Sequence, residues 1–148
     1  MSSPEVYDDA RAIIEAAALS LNLPVAWPNE EFLEPQPFDN EGVPSVWVAV
    51  ELEGDVGDPV EIGGVQWDEQ GVVHLSVMIP LNTGVREGMA KRKALALAFR
   101  GLPPGVVLYG SSSLDPGGPS ETDGRWRMLG LRVAYSFQDR VELKETRP

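Results

Sequence analysis

One stretch, Arg125–Gln138, sets the terms for any fold this chain can adopt. Leu129, Leu131, Val133, Tyr135 and Phe137 alternate with Gly130, Arg132, Ala134 and Ser136. Period two places the apolar set on one face of an extended strand and the smaller or polar set on the other. Such a strand needs neighbours for its backbone groups and a covering layer for its apolar face. Val72–Ile79 repeats the pattern. Val73, Leu75, Val77 and Ile79 share one face, and Val72, His74, Ser76 and Met78 share the other. Val46–Leu52 is rich in β-branched residues and reads as a strand. Val106–Tyr109, a short Ile62–Trp67 and a brief Val25-Ala26-Trp27 complete the extended set.

Two segments carry the covering layer. Pro4–Leu21 predicts a helix, with Ser2 or Ser3 as cap, Pro4 in the first turn, and Glu5 and Asp8 complementing the N-terminal dipole. Its apolar face is Val6, Ala10, Ile13, Ile14, Ala17 and Leu21. Val85–Arg100 predicts the second helix, capped by Asn82 or Thr83 and stopped by Gly101 with Pro103 and Pro104 beyond. Val85, Met89, Arg92, Ala96 and Phe99 run along one side of it. Between these elements lie an irregular proline-bearing stretch, Pro28–Ser45, with Phe32 and Phe38 as expected anchors onto the core, and an acidic loop, Glu53–Glu61. Asp68-Glu69-Gln70-Gly71 reads as a turn, Gly110–Gly124 as a mobile loop, and Asp139–Pro148 as a frayed tail. The order predicts an α+β fold in one domain, 1–148: a mixed, mostly antiparallel sheet with two main helices packed on one face. The expected core holds Trp47, Val73, Leu75, Val77, Leu131, Val133 and Phe99.

Charge is divided unevenly along this frame. Residues 1–70 hold sixteen carboxylates against one base, Arg11, a formal −15; residues 71–148 hold eleven bases against seven acids, a formal +4. That asymmetry bears on association rather than on fold, because an acidic end and a basic end can stack or ring up head to tail. The overall charge of −11 argues against tight general binding to DNA or anionic membranes. No apolar run approaches the ~20 residues that span a bilayer. The acidic Met1–Asp9 lacks the regions of a signal peptide.

Candidate chemistry is sparse. There is no cysteine, which excludes disulfides, thiolate zinc sites and a cysteine nucleophile. The one histidine, His74, sits mid-strand with no catalytic partner in the pattern. The loop serines form no nucleophile elbow, and the glycines at 110, 117 and 118 form no phosphate loop. Glu51, Glu53, Asp55 and Asp58 could gather round a hard cation, but their spacing is not that of an EF-hand loop, and a solvated acidic loop is the better reading. No catalytic, cofactor or metal residue is therefore assigned. Arg86, Lys91, Arg92, Lys93 and Arg100 make the second helix the basic element, and Glu53, Asp55, Asp58 and Glu61 make the densest acidic one. The expected subunit interface joins that helix to that loop on an adjacent copy.

Three blocks of residues carry a likeness to a known family. The first is Val25-Ala26-Trp27-Pro28-Asn29 with Phe32, and the second is the Trp47 strand with Glu61-Ile62-Gly63-Gly64. The third is Gly71 through Pro80, then Asn82-Thr83-Gly84, then the helix ending Ala98-Phe99-Arg100-Gly101. Over roughly residues 5–137 the chain resembles the tail terminator, or tail completion, proteins of long-tailed bacteriophages and gene transfer agents. The resemblance implies a structural protein with no cofactor, assembled in the bacterial cytoplasm into the tail of a virion or phage-like particle. It implies a homohexameric ring that caps the tail tube, ends its polymerisation and offers a head-docking face. The implied partners are other copies of the chain, the tail tube protein and head–tail connector proteins. DNA would meet it only in passage through the lumen, and no membrane is involved. The alternatives are a head–tail connector or neck subunit, a small metal-dependent enzyme using the carboxylates at 51–58, and a monomeric binding module.

Overall fold

A computed structural model describes residues 2–54, 58–59, 66–103, 105–119 and 124–140. Helix α1, Pro4–Leu21, is followed by strands β1 (Val25–Ala26), β2 (Trp47–Gly54), β3 (Asp58–Pro59) and β4 (Gln66–Pro80). Helix α2, Arg86–Ala98, then leads to β5 (Val107–Leu114), β6 (Gly118–Pro119) and β7 (Trp126–Arg140). The sheet runs β1-β2-β4-β7-β5, with β3 added to β4 and β6 to β7. Among the described residues only the β1–β2 pair is parallel. This is the α+β, mostly antiparallel arrangement that the alternation predicts.

Register follows the hydrophobic pattern. Val50, Leu75 and Leu131 stand side by side across β2, β4 and β7. They share one cluster with Val73, Val77, Val133 and Phe137 and with the helix residues Val6, Ala10, Ile14, Leu95 and Phe99. A one-residue slip would turn this whole set to solvent, so burial fixes the pairing. Both helices cover this face. α1 buries Val6, Ala10, Ile14 and Ala18, a clean helical stripe.

Several local expectations are corrected. Trp47 is buried, but on the opposite face of the sheet, where it packs with Met78, Trp126 and Phe32 in a second, smaller cluster. Its parity in β2 differs from that of Val48 and Val50, so alternation alone assigns it there. Phe32 is an anchor, with its ring centroid 5.0 Å from that of Trp47, whereas Phe38 is half exposed and anchors nothing. The turn expected at Asp68–Gly71 is continuous strand. β4 runs through it, paired to β7 along its whole length from Gln66↔Arg140 to Pro80↔Trp126. Gly71 serves there as a close-approach residue, because a Cβ would run into the Glu53 carbonyl and the Tyr135 ring. Strand β5 continues through Ser111–Ser113 into the stretch expected as loop, with a register shift between Tyr109 and Ser112. Residues 139–140 belong to β7 rather than to the tail.

The caps also differ. Ser3 is the N-cap of α1, but its hydroxyl makes no bond to the helix and donates to Glu69 Oε1 at 2.5 Å. Val85 is the N-cap of α2, and the Thr83 hydroxyl donates to the Pro80 carbonyl at 2.7 Å. Val85 and Met89 are partly solvent-exposed, so the buried side of α2 is Gly88, Arg92, Leu95 and Ala96. Of the strand expected at Ile62–Trp67, Gln66 and Trp67 open β4, and the rest lies outside the described residues, as do most of the loop Glu53–Glu61 and 141–148.

Candidate assembly surface

Helix α2 divides its cations between two jobs. Arg92 is only 7% exposed, and its Nη1 donates to the carbonyls of Asp115 (2.5 Å) and Gly130 (3.1 Å). The Gly130 carbonyl also accepts the Asp115 N–H at 3.1 Å. The guanidinium therefore ties down the corner where the chain leaves β5, and a buried cation is tolerable because carbonyl oxygens meet it. Gly88 lets the helix settle onto the sheet. A Cβ there would stand 2.7 Å from Leu129 Cδ1 and 2.9 Å from Ile79 Cγ2. With that side fixed inward, the opposite side is presented to solvent.

Arg86, Met89, Lys93, Leu97 and Arg100 recur at three- or four-residue steps, and all are exposed. Met89 is 48% and Leu97 50% exposed. Lys91 lies 3.8 Å from Glu87 one turn back, and Arg100 Nη2 reaches Ser112 Oγ at 3.5 Å. Among the described residues Arg86 and Lys93 form no ion pair. The stripe ends against β5, where the rings of Phe99 and Tyr109 meet edge-on at 5.0 Å.

The acidic half uses its single base internally. Arg11 Nε bonds Glu15 at 2.7 Å, Arg11 Nη1 pairs with Glu30, and the guanidinium stacks 4.5 Å over the Trp27 ring. Tyr7 adds its hydroxyl to Glu30 at 3.0 Å. Arg11 and then Tyr7 hold the Glu30 carboxyl below its usual range, and the Glu30 and Glu15 bonds push the Arg11 pKa up. Burial pushes the Glu69 carboxyl up. The bonds from Ser3 and from Tyr135 (2.7 Å) outweigh it, and the group sits below its usual range. Burial, with Glu69 beside it, pushes the Tyr135 phenol up to about 12.

Four further acids, Glu31, Glu34, Asp39 and Glu41, lie on the irregular segment 31–43. Leu33 there is 93% exposed, with Phe38 and Val43 about half exposed. Asp39 Oδ1 accepts the N–H groups of Glu41 (2.8 Å) and Val43 (2.9 Å), which closes a turn bridged by Phe38 and Pro44. Glu34 pairs with Arg125 at 3.0 Å, while Glu31 and Glu41 form no ion pair among the described residues. Phe32 ties this segment to Trp47 and Trp126, at the Pro80 end of β4. Tyr109, against the end of α2, lies across β7 from Gly71. Pro80 to Gly71 is about 30 Å of strand.

The acidic group expected from sequence is not assembled in one place. Glu53 Oε2 meets His74 Nε2 at 2.9 Å on the sheet face away from the helices. His74 stands in register between Glu51 and Arg132. Asp58 is placed only through its backbone pairing with Asp68, and Asp55 and Glu61 lie outside the described residues. Among the described residues no three metal-capable side chains cluster. Sequence reasoning missed the burial of Arg92 and the exposed apolar residues of 31–43. The position of Arg92 beside Leu95, Ala96 and Phe99 on the helix was the available sign.

A sequence profile described as phage tail terminator protein matches residues 5–135, spanning α1 through most of β7. The chain belongs to the phage tail terminator family. That family is structural and not enzymatic, so this terminator is a phage tail component, and its membership implies association with the tail tube. No curated protein matches the sequence. Among the solved structures that share the terminator's fold, one aligns with a TM-score of 0.57 and 18% identity, over 96% of this chain and 100% of the other.

Proposed function

We propose that this terminator closes into a homohexameric ring on the last ring of the tail tube, halts tube polymerisation, and presents its far side to the head–tail connector. The family match over residues 5–135 carries the reading. Two features of the subunit support it. The basic side of α2 is held outward by the buried Arg92, and of the four carboxylates on 31–43 only Glu34 is paired with a cation among the described residues. Contacts between a basic and an acidic site on different parts of one subunit are heterologous, and such contacts close into rings when the rotation allows. The same charge balance suits a lumen that lets DNA pass, since an acidic or neutral wall does not hold phosphates.

The particle is a phage or a gene transfer agent. Electron microscopy of purified tail tubes with and without the terminator tests the proposal. Rings seated on one tube end, and tubes that no longer lengthen when more tube protein is added, are expected. Tubes that bind no terminator and continue to grow refute it.

A further inference from the structure

Among the described residues, two surfaces that mix exposed apolar and charged side chains carry opposite charge. The first is the outer stripe of α2, with Lys93, Leu97 and Arg100, and the groove in which it ends. That groove, about 190 Å³, is lined by Phe99, Leu102, Leu108 and Tyr109 among others. Leu102 and Leu108 are 41% and 56% exposed. The second surface is the segment 31–43, with Glu31, Leu33, Phe38 and Glu41. Contiguous exposed apolar surface that mixes with charge marks interaction sites on soluble proteins.

We infer that segment 31–43 of one copy docks on the α2 stripe and its terminal groove in the next copy, a head-to-tail contact repeated around the ring. It deepens the ring reading and rests on it for closure. A second copy is the occupant because each surface supplies what the other lacks. Lys93 and Arg100 meet Glu31 and Glu41, while Leu33, almost fully exposed on its own subunit, enters the apolar groove. Leu33 is 93% and Leu97 50% exposed, so a subunit does not cover these surfaces itself. A contact that joins one patch of a copy to the other patch of the next copy is heterologous, and it closes into a ring when the rotation allows. The loop at 53–61 is the weaker acidic partner. Its Glu53 is already bonded to His74.

The chain has no cysteine, so introduced thiols are unique. Leu33→Cys with Leu97→Cys in one chain, treated with a short bis-maleimide at low salt, should give a ladder in multiples of the 16.1 kDa subunit. Both positions are exposed, so the substitutions leave the core intact. Leu33→Cys with Leu19→Cys is the collision control, because Leu19 is 85% exposed and lies on neither surface. Adding Lys93→Glu and Arg100→Glu should cut the ladder about tenfold. Further addition of Glu31→Lys and Glu41→Lys should restore it. A ladder no stronger than the control overturns the inference. So does a ladder indifferent to the charge reversals, or one restored by Asp55→Lys and Asp58→Lys instead. The readout needs no tubes. A ladder from a protein that does not end tube growth upholds the contact and removes the capping role, and capped tubes without the ladder do the reverse.

Discussion

Replacing Leu75 with alanine tests the placement of the core directly. Leu75 is 1% exposed at the middle of β4, with Val50 beside it on β2 and Leu131 beside it on β7. The two helices close the space above through Ile14 and Leu95. Strands on both flanks are held by their ladders, so the wall cannot collapse into the space the side chain leaves. Leu→Ala changes cost about 2–5 kcal/mol, more where the cavity persists. The persistent cavity puts Leu75→Ala at about 3–4 kcal/mol. At roughly 2–4 °C per kcal/mol for a domain of this size, Tm should fall by about 10 °C. Urea unfolding followed by tryptophan fluorescence should show a lower midpoint with an unchanged slope. His74→Ala, on the neighbouring residue but the opposite face, removes one half-exposed bond to Glu53 and should cost less than about 1 kcal/mol. If Leu75→Ala loses no more than His74→Ala does, the faces of β4 are assigned backwards.

Arg92→Met should lower stability by about 2 kcal/mol, because two bonds from a charged donor to carbonyls are lost while the stem packing is kept. Lys93→Met, one residue on and exposed, should stay within about 0.5 kcal/mol; equal losses in denaturation would return Arg92 to the surface. The pH dependence has two signed limbs. Glu69 is held below its usual value of 4.5, so its contribution is present above that pH and is lost as pH falls through the folded value. Tyr135 is raised from 10.0 to about 12, so its contribution is full below pH 10 and is lost as pH rises toward 12. Glu69→Gln should flatten the acid limb and Tyr135→Phe the alkaline one in thermal melts across pH; unchanged limbs would contradict the bonding described between them.

The strands and helices were legible because each carries its own period. Val73 to Ile79 and Leu129 to Phe137 show their buried faces by alternation, and α1 begins and ends where proline and Asn22 place it. What the sequence hid was decided by partners far along the chain. Asp68–Gly71 has turn chemistry, but the facing residues Tyr135–Gln138 keep it extended. Ser111–Ser113 look like loop residues until Arg132 and Val133 supply a ladder. Arg92 looks like a surface cation until Asp115 and Gly130 bring their carbonyls to it. The candidate surface was half legible. The cations of α2 were visible as a group, while the exposure of Leu33 depends on how 31–43 is draped over Trp47.

The position of β7 has a consequence for how the subunit is made. It lies between β4 and β5, and its pairs with β4 join residues 46 to 74 positions apart in the chain. Contacts that distant must overcome loop-closure entropy before they return any stability, and domains dominated by them fold in milliseconds to seconds. During synthesis β2 and β4 can pair early, but β5 has no neighbour in the sheet until β7 emerges. Tyr109, which ends the α2 stripe, is positioned only at that late step. A nascent chain therefore displays its basic surface in working form only after β7 has threaded into the middle of the sheet. Topology thus sets the order in which the surfaces of the subunit are completed.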